Sequence, residues 1–184
     1  HNEMRLFEAE IASWASNVLP DSASLRQRVI EGIAANTTAQ LTRLLGEPAE
    51  TVGNPTEGAL LLWLDGQGID YAKERSAFVV RDQWGFNTER KFMATLGGVL
   101  HLKGAPEIVL ERCTRIATED GDRLIEPADL TRISQTLKDY QSRGMRTLAL
   151  AYRDLSTSPT GGEVDFDNLT WLGTFAIADP IRAE

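Results

Sequence analysis

Lys91-Phe92-Met93-Ala94-Thr95-Leu96-Gly97-Gly98-Val99-Leu100-His101-Leu102-Lys103 is a pair of apolar runs joined by two glycines. Such a stretch reads as a β-hairpin. The length of the connection decides which side chains share a face. With a strict two-residue turn at Gly97-Gly98, Phe92 faces Lys103 and Lys91 points to the opposite side. A three-residue loop with a glycine bulge puts Lys91, Met93 and Lys103 on one face. A pocket that uses both lysines therefore requires the bulged hairpin.

Working outward, Thr147 to Tyr152 and Leu169 to Ala178 are strong strands. Ala77-Phe78-Val79-Val80-Arg81 also reads as a strand, with helix as the alternative. Residues 3 to 18 read as an opening strand or a turn of helix. Asp21-Ser22 offers a cap for a helix whose Leu25, Val29, Ile33 and Ala34 share a face. Gly46-Glu47-Pro48 breaks the segment that follows. A second helix opens at Pro55-Thr56-Glu57, with Thr56 as its cap and Ala59, Leu60, Leu62 and Trp63 on its buried side. Pro106 suits the first turn of a third helix, expected through Cys113. Glu119-Asp120-Gly121-Asp122 is a turn. Pro127 to Arg143 is a fourth helix, carrying Leu130, Ile133, Leu137 and Tyr140 at helical spacing and stopped by Gly144. Ser156 to Gly162 is a loop. Strands and helices without regular β-α-β alternation predict an α+β domain, a largely antiparallel β-sheet flanked by helices.

The 184 residues suffice for a single domain, 1–184, with a sizeable core. The net charge of -8, without a run of Lys or Arg, argues against nucleic acid or an anionic membrane surface as partner. The longest apolar run, Ala59 to Leu64, is far too short to span a bilayer, so no direct membrane insertion of this segment is expected. A lone Cys113 in the pattern Ile108-Val109-Leu110-Glu111-Arg112-Cys113 reads as a small buried thiol, and one cysteine cannot form an internal disulfide. Two isolated histidines make no metal site. His1 heads the chain where an initiator Met would stand, as in a piece of a longer chain.

A nucleotide site needs a flat apolar surface for the base and cations for the phosphates. Phe86 is followed at short range by Arg90 and Lys91, with Lys103 on the second hairpin strand and Arg146 on a later one. Stacking of a base on an aromatic ring contributes roughly 1–3 kcal/mol, against about 4 kcal/mol for a millimolar ligand. Each residue also has an ordinary reading: Phe86 as a core anchor, a strand Lys or Arg as solvated, Glu57 as a first-turn dipole partner. Neither G-x-x-x-x-G-K-[ST] nor G-x-G-x-x-G occurs.

Five blocks follow one another in a fixed order: Gly53-Asn54-Pro55-Thr56-Glu57-Gly58-Ala59-Leu60, Phe86-Asn87-Thr88-Glu89-Arg90-Lys91-Phe92-Met93, Lys103-Gly104-Ala105-Pro106-Glu107, Gly144-Met145-Arg146-Thr147-Leu148-Ala149 and Asp179-Pro180-Ile181-Arg182. Together they resemble the nucleotide-binding domain of P-type cation-transporting ATPases. Val52 to Glu57 and the Phe-Asn-x-x-Arg-Lys-x-Met block look most like calcium pumps of the plasma-membrane type and their bacterial relatives. Thr88, Ala94-Thr95 and Ile181 depart from the usual pattern and touch no proposed contact.

The resemblance implies a cytoplasmic domain of an integral membrane pump, inserted just after a D-K-T-G-T loop whose aspartate this chain lacks. It implies ATP or ADP as ligand, Mg2+ at the phosphates ligated mainly outside this chain, and the phosphorylation and actuator domains as partners. It also implies roles: Phe86 stacks on adenine, Lys103 lines the deep end, and Gly104 and Ala105 allow close approach of the ring. Glu57 contacts the adenine end or holds the pocket, Lys91 and Met93 border the nucleotide, Arg146 reaches toward the phosphates, and Leu148 lies beneath the base. Asp179 and Arg182 would serve the domain hinge. A pump for another cation, or a fold-only interaction module without nucleotide, is the alternative.

Overall fold

The computed structural model describes residues 3–155 and 164–180. Along the chain come strands β1 (Arg5–Ile11) and β2 (Trp14–Ser16), helix α1 (Ala23–Ala34), and the short strands β3 (Gln40–Thr42) and β4 (Glu50–Val52). Helices α2 (Pro55–Gly66) and α3 (Tyr71–Ala77) precede β5 (Asp82–Trp84), β6 (Phe92–Leu96) and β7 (Val99–Gly104). Then follow α4 (Pro106–Glu111), β8 (Cys113–Thr118), β9 (Gly121–Leu124), α5 (Pro127–Ser142), β10 (Arg146–Asp154) and β11 (Leu169–Ala178).

The main sheet runs β2-β1-β11-β10-β7-β6-β5, with β8 on β11 and β9 on β8. Its pairings are antiparallel except β8 on β11. The strands alternate, so each sheet face feeds its own core. Leu150, Leu172, Phe175 and Ile177 meet α1 and α2, through Val29, Ile33, Leu60, Leu61 and Leu64. Phe92, Ala94, Leu102, Ala149, Ala151 and Trp171 meet α4 and α5, through Val109, Ile133 and Leu137. The fold is thus α+β, a largely antiparallel sheet with helices on both faces.

In the hairpin, Met93 faces Lys103 and Leu96 faces Leu100, which leaves three residues, Gly97-Gly98-Val99, in the connection. The longer loop is therefore the one adopted. Gly97 serves it by close approach: a Cβ there would stand 2.6 Å from the Phe78 ring. The register sends Met93, Thr95, His101 and Lys103 to the α1/α2 face, and Phe92, Ala94 and Leu102 to the other.

Several expectations are corrected. Of the two readings of residues 3–18 the strand holds, with Arg5–Ile11 and Trp14–Ser16 paired as the β1–β2 hairpin. The strand expected over Ala77 to Arg81 is absent: Asp70 accepts from the Ala72 and Lys73 amides and starts α3, Ala77 ends it, and strand pairing begins at Asp82. The cap of α2 is Asn54, whose Oδ1 takes the Thr56 and Glu57 amides at 2.9 and 3.1 Å, not Thr56. Ser22 occupies the cap position of α1, but its hydroxyl meets the Ser24 hydroxyl at 3.3 Å instead of capping a helix amide. The third helix stops at Glu111, and Cys113 opens β8. Leu130, at helical spacing with Ile133, Leu137 and Tyr140, is 43% exposed where those three are buried. The loop read at Ser156 to Gly162 and the residues Ile181 and Arg182 lie outside the described residues. No described helix is long and apolar enough to cross a membrane.

Candidate functional site

A hollow of about 340 Å³ opens where the starts of α2 and β10 meet the open end of the β6–β7 hairpin. Glu57, Phe86, Met93, Lys103, Gly104, Arg146 and Leu148 line it, joined by Thr38, Asn54, Thr56 and Thr147. Phe86 is 62% exposed and stands outside both cores, so the structure does not use it as a core anchor. Leu148 is partly buried and Met93 is buried, giving the hollow an apolar floor. Arg146 is exposed at the start of β10.

Lys103 is the least ordinary of these residues. Strand register directs it inward, and it is only 3% exposed. A buried ammonium needs partners. Its Nζ lies 2.9 Å from Glu57 Oε1 and donates to the Asn36 carbonyl. Glu57 is positioned by the first turn of α2, and its second oxygen accepts from the Thr38 hydroxyl at 3.2 Å. Asn36, fully buried, ties the same segment to β6 by donating to the Met93 carbonyl at 3.1 Å and accepting from the Thr95 hydroxyl at 2.8 Å.

Burial pulls the Lys103 ammonium below its usual range, against the opposing pull of Glu57. Burial would raise the Glu57 carboxyl, but the Lys103 charge and hydrogen bond, with the Thr38 backbone, outweigh it and hold Glu57 below the usual carboxylate range. The result is an ion pair at the inner end of a hollow with an apolar floor, with Arg146 at its mouth.

Two of the residues singled out from the sequence are not in the lining. Lys91 is exposed at φ 61°, outside the ladder, so strand alternation does not extend to it. Its carbonyl accepts the Ala105 amide at 3.1 Å. Ala105 is the N-cap of α4. Gly104 does line the hollow, yet its missing side chain is required by the neighbouring strand: a Cβ would stand 2.4 Å from the Lys91 carbonyl oxygen and 2.7 Å from Phe92 Cα. Among residues the sequence reading missed, Asn54 carried a signal, since Asn-Pro before an apolar run is a cap signature. Thr38 and Asn36 carried none, because only the tertiary fold brings them to Glu57 and Lys103.

A family model described as the P-type ATPase cytoplasmic domain N matches residues 25–184. The chain belongs to that family. This N domain is 29% identical over 182 residues to the plasma membrane-type calcium-transporting ATPase 4 of Arabidopsis thaliana, covering 95% of the chain and 18% of the relative. It is 30% identical over 202 residues to the plasma membrane-type calcium-transporting ATPase 5 of Oryza sativa subsp. japonica, covering 98% and 19%. It is 30% identical over 208 residues to the plasma membrane calcium-transporting ATPase 1 of Gallus gallus, covering 100% and 17%. The N domain thus spans less than a fifth of the length of these relatives.

Proposed function

We propose that this N domain binds ATP in the hollow and belongs to a larger P-type calcium pump, residues 1–184 forming its single nucleotide-binding domain on the cytoplasmic side. The observation that carries the reading is the exposed Phe86 ring at the mouth of a hollow floored by Leu148 and Met93. The hollow is of a size that suits a small-molecule ligand. Phe86 offers a stacking face, Leu148 and Met93 the apolar contact beneath a base, and Arg146 a cation toward the phosphates. The Lys103–Glu57 pair supplies the polar inner end, a donor and an acceptor for the edge of a purine.

Mg2+ enters with the phosphates; no group of three or more His, Cys, Asp or Glu side chains that could hold a metal occurs among the described residues. The phosphoryl acceptor is an aspartate of the phosphorylation domain, and the actuator domain completes the cycle. The calcium specificity rests on the names of the relatives.

Titration of the chain with ATP, followed by NMR chemical shifts, tests the reading. Saturable shifts at the Phe86 and Lys103 segments are expected at millimolar ATP. Phe86→Ala should weaken binding by roughly 1–3 kcal/mol, about fivefold or more. Binding untouched by Phe86→Ala would favour a nucleotide-free interaction module. Phosphate release by the chain alone would overturn the assignment as a delivery domain.

A further inference from the structure

Phe86 stands outside both cores, so its place must be set by the backbone on either side of it. That backbone leaves β5, a three-residue edge strand paired, among the described residues, only with β6. Trp84, two residues before Phe86, faces Ala94 in the register and lies on the α4/α5 side of the sheet, opposite the hollow. There the Phe166 ring meets Trp84 edge-on at 5.0 Å between centroids and Phe92 at 5.2 Å. Phe166 is itself held by a clamp. Arg153, on β10, donates to the Asp165 carboxylate at 2.8 Å and to the Asp165 and Asp167 carbonyls, and Arg112 reaches the Asp167 carboxylate at 3.4 Å.

On the other flank, Arg90 donates to the Gly85 carbonyl at 2.8 Å, directly before Phe86. The same guanidinium sits 5.7 Å from the centre of the Phe92 ring, and Arg112 covers that ring at 4.9 Å. Trp84, Phe92 and Phe166 thus form one aromatic cluster whose members grip the Phe86 loop at both ends.

We infer that Phe166 is a positioning residue for nucleotide binding: from the far side of the sheet it wedges Trp84 and Phe92 and so holds the Phe86 loop in its binding geometry. This rests on the ATP reading of the hollow. Holding a loop in its bound form reduces the ordering cost of association. A loose loop would keep Phe86 available but would have to freeze it at each binding event.

Two measurements on the full chain test the proposal. Amide hydrogen exchange without ligand reads the loop directly, because the Arg90 and Lys91 amides are bonded to the Asn87 side chain and carbonyl. Phe166→Ala should speed exchange over residues 85–91 at least fivefold and weaken ATP about five- to tenfold. In a Phe86→Ala background the same change should add no further loss. Ile133→Ala, on α5 in the same core but not one of the ring partners of Phe166, should lower the melting temperature while leaving loop exchange and ATP affinity unchanged. If Phe166→Ala does not fold, Phe166→Leu carries the test, with smaller effects in the same direction. Unaltered exchange at 85–91 overturns the proposal whatever ATP does. Equal loss with and without Phe86 also overturns it. A wild-type chain that takes up no ATP overturns the reading of the hollow, and loop exchange then decides the positioning role alone.

Discussion

Replacing Lys103 by Met removes the buried cation and keeps most of the stem's volume. At an effective dielectric of about 20, unit charges 2.9 Å apart attract by about 6 kcal/mol, most of which offsets the removal of both groups from water. Taking away one partner of a buried pair costs about 3–5 kcal/mol. Because the Glu57 side chain is 13% exposed, next to the hollow, water partly relieves it, and the lower end, about 3 kcal/mol, is expected at pH 7. The pH dependence is the sharper test. In the wild type, the folded Glu57 carboxyl lies below its ordinary 4.5, so its contribution is present above 4.5 and is lost as pH falls through the folded value. Without Lys103, burial dominates and the folded value rises above 4.5. The penalty then grows as pH rises through it and shrinks on acidification. Urea unfolding followed by tryptophan fluorescence should show a midpoint lowered by roughly 1–2 M at pH 7. The gap from wild type should narrow to about 1–2 kcal/mol at pH 5, the remainder reflecting the Asn36 carbonyl that loses its donor. Adding Glu57→Gln should recover part of the loss at pH 7 and little at pH 5. A cost below about 0.5 kcal/mol, as small as that of an ordinary surface substitution, would refute the buried pair. So would an equal cost at both pH values.

Three further outcomes follow from the same geometry. Gly104→Ala drives a Cβ into the Lys91 carbonyl and the Phe92 backbone, so a loss of about 2–4 kcal/mol is expected in thermal or urea unfolding. His101 is fully buried, its Nε2 3.0 Å from Glu31 Oε1 and its Nδ1, facing Gly32, without a hydrogen-bond partner among the described residues. Burial pulls it below 6.5, more than Glu31 raises it, so below pH 6.5 the unfolded chain binds more protons than the folded one. Stability then falls as pH drops, by up to about 1.4 kcal/mol per pH unit. His101→Gln should flatten that slope between pH 7 and 5.5. The Cys113 thiol, pushed up to about 12 by burial and donating to the Val109 carbonyl, should react with iodoacetamide at pH 8 at least about 100-fold more slowly than a free cysteine.

The sequence exposed what depends on local pattern. The two apolar runs joined by Gly97-Gly98 marked the hairpin, and the helical spacing of Leu25, Val29 and Ile33 marked α1. Where two local signals competed, the reading failed. Val79 and Val80 suggested a strand, but the Asp70 cap had already committed the preceding residues to α3, and both valines remain exposed. The three-residue strands β3, β4 and β5 were too short for alternation to register. Burial was legible for apolar residues and not for Lys103, because an inward lysine depends on Glu57 and Asn36, both far away in sequence. The block Phe86 to Met93 was visible, but the support of its loop by Phe166 was not, because Val164-Asp165-Phe166-Asp167 carries no sign of which distant rings its aromatic side chain meets.

The lining of the hollow comes from Thr38, from Asn54, Thr56 and Glu57, from Phe86, from the hairpin and from residues 146–148, and β10 is the strand that completes it. No short stretch of the chain contains the site. Helix α2 and the β6–β7 hairpin precede Arg146 and Leu148 by about 40 residues or more, and contacts this distant in sequence close late and slowly. A ligand of the hollow therefore needs β10 in place, between β7 and β11, and stabilises that arrangement by mass action. Any ligand of the hollow would thus bind the folded chain in preference to the unfolded one, and its addition would slow proteolysis.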